Sequence, residues 1–188
     1  KAHRQRFGDR LLAELRGVMD EAGNSPFWDA LAGKFFDMSF PEADGFNAVN
    51  GTHFIADLMP KTPIYVSLLP DGARAVMGQP HPSGRAALRM LQEEGLVFDR
   101  YIDIFDGGPT VTAPTDQVRT IREAQEETVV EVGDGGKVKV LLAAGRLRDF
   151  RACRAEIRRV GRKGIVISRE AAELLEVGEG DKVLAVAR

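Results

Sequence analysis

The stretch from Pro63 to Pro109, PIYVSLLPDGARAVMGQPHPSGRAALRMLQEEGLVFDRYIDIFDGGP, constrains the fold most. Prolines and glycines cut it into short pieces, and each piece has its own period. Pro63–Pro70 is apolar and bounded by prolines, which predicts a strand. Asp71–Met77 reads as a short helix that stops at Gly78. Ser83–Glu94 is amphipathic, with Ala87, Leu88 and Leu91 on its apolar side and Gly95 placed as a C′ stop. Leu96–Phe105 alternates as a half-buried strand does, and Asp106-Gly107-Gly108-Pro109 ends it. Strand, polar loop, helix and strand in this order predict an α/β fold. Such folds place ligand groups in the polar loop that feeds a helix N-terminus.

That loop is GQPHP, and its histidine is His81. Pro80 and Pro82 restrict the backbone on both sides, and Gly78 frees the approach. A fixed imidazole suits a general acid or base near neutral pH. The same residue also fits a helix cap or a loop filler. Two carboxylates stand nearby in sequence, Asp103 and Asp106. Asp106 precedes a double glycine, where an aspartate caps a turn or binds a cationic substrate group.

Composition excludes several classes. The chain has 188 residues, enough for one substantial domain or two small ones, with 44% hydrophobic and 29% charged residues. A net charge of −2 offers no basic field for nucleic acid. The single cysteine, Cys153, excludes an internal disulfide and a multi-thiolate metal site. The three histidines, His3, His53 and His81, lack metal-ligand spacing, so no metal is expected. No apolar run approaches the roughly 20 residues of a membrane span, and no signal-peptide pattern is visible. The cytoplasm is the expected compartment.

On the N-terminal side, residues 1–8 are basic and fit the end of a helix, and Arg10–Arg16 fits a buried strand. Asp20–Asn24 is a turn. Ser25 and Pro26 open a helix as N-cap and first residue, and Phe27, Trp28, Leu31, Phe35 and Phe36 give it an aromatic core face. Met38–Gly51 reads as loop and Thr52–Met59 as a short helix. A boundary falls at 112/113, so the expected domains are 1–112 and 113–188. In the second, Thr128–Val132 and Val138–Ala143 are strands joined as a hairpin by GDGG. Gly164–Ser168 and Lys182–Val186 add strands around a short helix, Arg169–Leu175. Together they predict a small β-barrel or sandwich. Arg151, Arg154, Arg158, Arg159 and Arg162 are read as a solvated face. Positive neighbours can lower a thiol pKa, but no histidine lies near Cys153 in sequence, and a catalytic role is not expected of it.

Several segments together resemble the arginine N-succinyltransferase family: ELRGVMDEAGNSPFWDALAGKFFDMSFPEAD, FIADLMPKTPIYVSLLP, GQPHP and EEGLVFDRYIDIFDGGPT. The match runs in register from about residue 10 to 112 and more loosely to the end. The resemblance implies a Gcn5-related N-acyltransferase-like α/β (α+β) fold, a mixed sheet flanked by helices, with the small β-rich module added. It implies transfer of succinyl from succinyl-CoA, a co-substrate and not a bound cofactor, to the α-amino group of L-arginine. The family's proton-donor histidine falls on His81. Asp103 and Asp106 are substrate-binding candidates, drawn from a pool that includes Glu42, Asp44 and Asp57. Departures from the family pattern are Pro80 for valine, His53 for lysine and Asp57 for glutamate.

The glycine-rich loop that cradles the CoA pyrophosphate has no counterpart here, so the residues that bind CoA are unknown. The resemblance thus covers roughly the C-terminal half of the family length. It implies a partner, the N-terminal half of the same enzyme or a homologous subunit. The alternatives are a non-catalytic or regulatory half, and an acyltransferase with a different donor or acceptor.

Overall fold

The computed structural model describes residues 8–51 and 53–187, in two compact units divided between Val118 and Arg119. His3 and the rest of the basic start, residues 1–7, lie outside the described residues. No helix among the described residues is long and apolar enough to cross a membrane.

The first unit holds a three-stranded antiparallel sheet of β1 (Arg10–Glu14), β2 (Val97–Ile102) and β3 (Pro109–Pro114), in the order β1-β3-β2. The central strand, β3, extends across the expected 112/113 boundary, and no strand is expected there from sequence. Its residues Pro109–Ala113 are buried. β1 forms where a strand is expected, but it is an edge strand and largely exposed. The register sets Leu12 and Val97 on either side of Thr112, and Tyr101 opposite Thr110. Leu12, Val97 and Tyr101 are 61%, 58% and 64% exposed, so this face leaves an apolar rim around two buried threonines. Between Phe98 and Tyr101 the register shifts, with Arg100 at φ 62°.

Helices α1 (Pro26–Ala30), α2 (Gly33–Phe36), α3 (Phe40–Asn50) and α4 (His53–Leu58) pack beside the aromatic core. Ser25 caps α1 by accepting the Trp28 amide at 3.2 Å. Trp28 stacks on Phe36 and Phe105, with centroids 5.5 and 5.3 Å apart, and meets Phe40 edge-on. These rings are core, as read, except Phe35, which turns outward.

Two further expectations fail in this unit. Met38–Gly51 is mostly helix and not loop. Ser39 accepts the Glu42 amide while the Glu42 carboxylate accepts the Ser39 amide at 2.8 Å, a complete capping box. Pro41 falls in the first turn, where no backbone donor is needed, so the proline that suggests a loop starts the helix. Pro63–Pro70 is not a strand either. It contains only a 3₁₀ turn, Val66–Leu68, and residues 61–68 are exposed. No ladder partner reaches it among the described residues, and an isolated extended segment gains nothing from its β-propensity. Helix α5 (Asp71–Val76), a 3₁₀ turn (Pro82–Gly84) and α6 (Arg85–Glu93) follow, and Gly95 at φ 97° ends α6.

The second unit starts with α7 (Arg119–Glu123) and closes a five-stranded barrel in the order β4-β7-β6-β5-β8. The strands are β4 (Gln125–Gly133), β5 (Val138–Ala144), β6 (Arg151–Val160), β7 (Gly164–Ser168) and β8 (Lys182–Ala187). The barrel reading holds, but the GDGG hairpin does not. β4 pairs with β7 and β8, and β5 with β6 and β8. The glycines serve a close backbone crossing instead. A Cβ on Gly135 would lie 2.4 Å from the Glu156 carbonyl oxygen, and one on Gly136 2.2 Å from that of Ile157.

Val129, Leu142, Ile157, Ile165 and Ile167 fill the barrel, with Ala171, Ala172 and Leu175 of α8 (Arg169–Leu175) packed against them. The arginines of β6 form a solvated, ion-paired face: Arg151 meets Glu176, Arg158 meets Glu131 and Arg159 meets Glu127. Cys153 is half-buried on the same strand. Burial, then the Glu170 charge, pushes its thiol pKa up. The heads of Arg151, Arg158 and Arg159 engage carboxylates.

Candidate active site

Three short segments meet in the first unit: Arg16-Gly17 after β1, the loop Gly78–Pro82, and the turn Asp106–Gly108. The His81 amide donates to the Arg16 carbonyl at 2.7 Å, and Pro80 bridges to Gly17. The Gly78 amide donates to the Gly107 carbonyl at 2.8 Å. Gly17 donates its amide to Asp106 Oδ2 at 2.8 Å. The histidine loop and the aspartate turn are therefore fastened to each other and to the end of β1. Packing here is backbone on backbone. A Cβ on Gly17 would lie 2.2 Å from the Asp106 carbonyl oxygen, and one on Gly108 2.1 Å from that of Leu15.

His81 is half-buried and is the N-cap of the 3₁₀ turn. Its Nδ1 accepts the Ser83 amide at 3.3 Å and lies 2.7 Å from Ser83 Oγ. Among the described residues Nε2 has no hydrogen-bond partner, so one ring nitrogen is held and the other is presented. The capping reading of His81 is thus correct, and it leaves one nitrogen available for chemistry.

Asp106 is buried, and backbone amides take both its oxygens: Gly17 at Oδ2, and Gly108 at Oδ1 at 2.8 Å. It serves as a turn and loop fastener. Asp103 is half-buried. Its Oδ1 accepts the Phe105 amide at 2.7 Å, and Oδ2 has no hydrogen bond among the described residues. Burial first, and the Asp106 charge last, raise its pKa. Neither aspartate hydrogen-bonds the imidazole among the described residues. Of the wider pool, Glu42 is engaged by Ser39, which lowers its pKa. Among the described residues no group of His, Cys, Asp and Glu could hold a metal ion.

Sequence reading does not single out Gly17 or Ser83. Gly17 has no local signal, because its need to be glycine comes from a segment far along the chain. Ser83 has one: a hydroxyl two residues after a histidine, across a proline.

The family model described as "Arginine N-succinyltransferase beta subunit" matches residues 1–120, and a second model, for the C-terminal domain of that beta subunit, matches residues 114–187. The chain belongs to the arginine N-succinyltransferase family. Similar relatives from Pseudomonas aeruginosa are the "Arginine N-succinyltransferase subunit alpha", 44% identical over 99% of this chain and 55% of its own, and the subunit beta, 40% identical over 97% and 54%. The solved structure of arginine/ornithine succinyltransferase subunit AI from the same organism superposes with a TM-score of 0.86 at 40% identity, covering 99% of this chain and 53% of that one. The chain thus spans about half the length of the relatives it matches.

Proposed function

We propose that this chain is the histidine-bearing half of an arginine N-succinyltransferase that transfers succinyl from succinyl-CoA to the α-amino group of L-arginine in the cytoplasm. The observation that carries this reading is His81. Its backbone is fastened to Arg16, its Nδ1 is held by Ser83, and its Nε2 is presented, within residues the family model covers. In the reaction the thioester C–S bond breaks and an amide C–N bond forms. The amine gives up a proton, and the CoA sulfur must gain one. His81 supplies that proton from Nε2. Asp103, whose Oδ2 has no hydrogen bond among the described residues, is the better candidate for the substrate guanidinium. A cation at Asp106 would have to displace a backbone amide.

The CoA-binding residues come from the other half of the enzyme, as part of the same polypeptide or as a homologous subunit. The apolar rim of Leu12, Val97 and Tyr101 on two edge strands supports a covering partner. The test is to assay the assembled enzyme with succinyl-CoA and L-arginine, following CoA thiol release and the mass of the succinylated product. L-Ornithine, which the similar Pseudomonas aeruginosa protein carries in its name beside arginine, is the second acceptor to try. Succinylarginine is expected. CoA release without an acylated amine, or no release, would contradict the reading.

A further inference from the structure

We propose that Ser83 is a positioning residue that sets the resting tautomer of His81, so that before the transfer Nε2 carries the hydrogen and serves as a donor and not as a base. This rests on the reading of His81 given above. A backbone amide can only donate, and the Ser83 amide points at Nδ1 from 3.3 Å. In the neutral ring Nδ1 is therefore the acceptor and the hydrogen sits on Nε2. The Ser83 hydroxyl, 2.7 Å from Nδ1, adds a second donor to the same lone pair.

The hydroxyl has a further property the amide lacks: it can rotate and accept. When solvent protonates the ring at Nδ1, the hydroxyl rotates to accept Nδ1–H, and Nε2–H is the proton that leaves. A thiolate then takes the Nε2 proton; the ring is left with its hydrogen on Nδ1, bonded to Oγ, and returns to the favoured Nε2–H tautomer by exchanging protons with solvent. Charge and protons balance: imidazolium plus thiolate gives neutral imidazole plus thiol. Before the transfer, neutral or charged, Nε2 carries a hydrogen. Abstraction of the ammonium proton by Nε2 is thereby disfavoured, and protonation or hydrogen bonding of the departing sulfur is favoured. The two serine contacts lie within one 3₁₀ turn, Pro82–Gly84, whose N-cap is His81 itself. The proline between the histidine and the serine fixes the short path that lets both Ser83 groups reach one nitrogen.

The tautomer is read directly by long-range proton–nitrogen NMR of the full chain. Only three histidines contribute, and a His81→Ala sample assigns the signal. At a pH where the ring is neutral, the expected result is hydrogen on Nε2 in the wild type. Ser83→Ala keeps the amide at 3.3 Å and loses only the closer hydroxyl donor, so a larger Nδ1–H share is expected there, and recovery in Ser83→Thr. In the assembled enzyme Ser83→Ala is expected to lower kcat about tenfold at unchanged KM, the loss of roughly one hydrogen bond. Hydrogen on Nδ1 in the wild type, or a tautomer that Ser83→Ala leaves unchanged, would overturn the proposal. The spectrum needs no turnover, so it judges Ser83 even if the acyltransferase reading fails.

Discussion

Gly17 and Asp106 are joined twice. The glycine amide donates to the aspartate carboxylate at 2.8 Å, and the glycine Cα lies so close to the aspartate backbone that a Cβ would stand 2.2 Å from its carbonyl oxygen. This junction holds the histidine loop and the aspartate turn together.

Gly17→Ala is therefore expected to destabilise the first unit by about 1–3 kcal/mol, as overpacking against fixed backbone does. Gly45, inside α3, has open space where a Cβ would stand, with nothing within 4 Å, so Gly45→Ala is expected to stabilise by about 0.5–1 kcal/mol. Urea denaturation of the two variants checks the contrast. A stabilising Gly17→Ala beside a destabilising Gly45→Ala would contradict the packing described.

Asp106→Asn turns one oxygen into a donor that faces a backbone amide, and it removes a charge-assisted bond. A loss of about 1–3 kcal/mol is expected. If Asp106 served the substrate and not the loop, the variant would keep its melting temperature and raise KM for arginine alone.

Asp103 behaves differently. Burial raises its folded pKa above the ordinary value of 3.8. Between that value and the raised one the folded state holds more protons than the unfolded state, so stability falls as pH rises through this window and then levels. Asp103→Asn keeps an oxygen for the Phe105 amide and removes the titration. The wild-type minus variant stability difference is expected to decrease as pH rises from below 3.8. A difference that rises with pH would contradict the burial of this carboxyl. In the assembled enzyme the same variant is expected to raise KM for arginine if Asp103 meets the guanidinium.

Cys153 is not expected to take part in the chemistry. With its pKa raised by burial and Glu170, it is expected to alkylate more slowly than a free cysteine at neutral pH, and Cys153→Ser is expected to leave transfer rates unchanged. A tenfold loss of kcat in that variant would refute this.

Much of the fold is legible where physics is local. The serine–proline start of α1, the apolar face of α6 and the glycine stop at Gly95 all declare themselves. β2 forms where alternation predicts a half-buried strand, but Val97–Tyr101 are exposed and the register shift at Arg100 breaks the alternation. What fails depends on distant partners. IYVSL has strand propensity, yet no strand lies beside it among the described residues. The GDGG glycines match a hairpin turn, but they exist to cross β6. α3 is missed when its proline, glycine and asparagines are weighed singly, although Ser39 and Glu42 spell a capping box. At the site, His81 stands out from its flanking prolines. The role of Asp106 as a fastener depends on Gly17, far away in sequence.

Supply of a proton by His81 to the leaving sulfur is tested most directly by kcat of His81→Ala. The variant is assayed in the assembled enzyme with succinyl-CoA and L-arginine, alongside its melting temperature. The backbone bond from residue 81 to Arg16 survives the substitution. A fall of about 10²–10⁴ in kcat with little change in melting temperature is predicted. Undiminished turnover by a folded variant would contradict the proton-donor role.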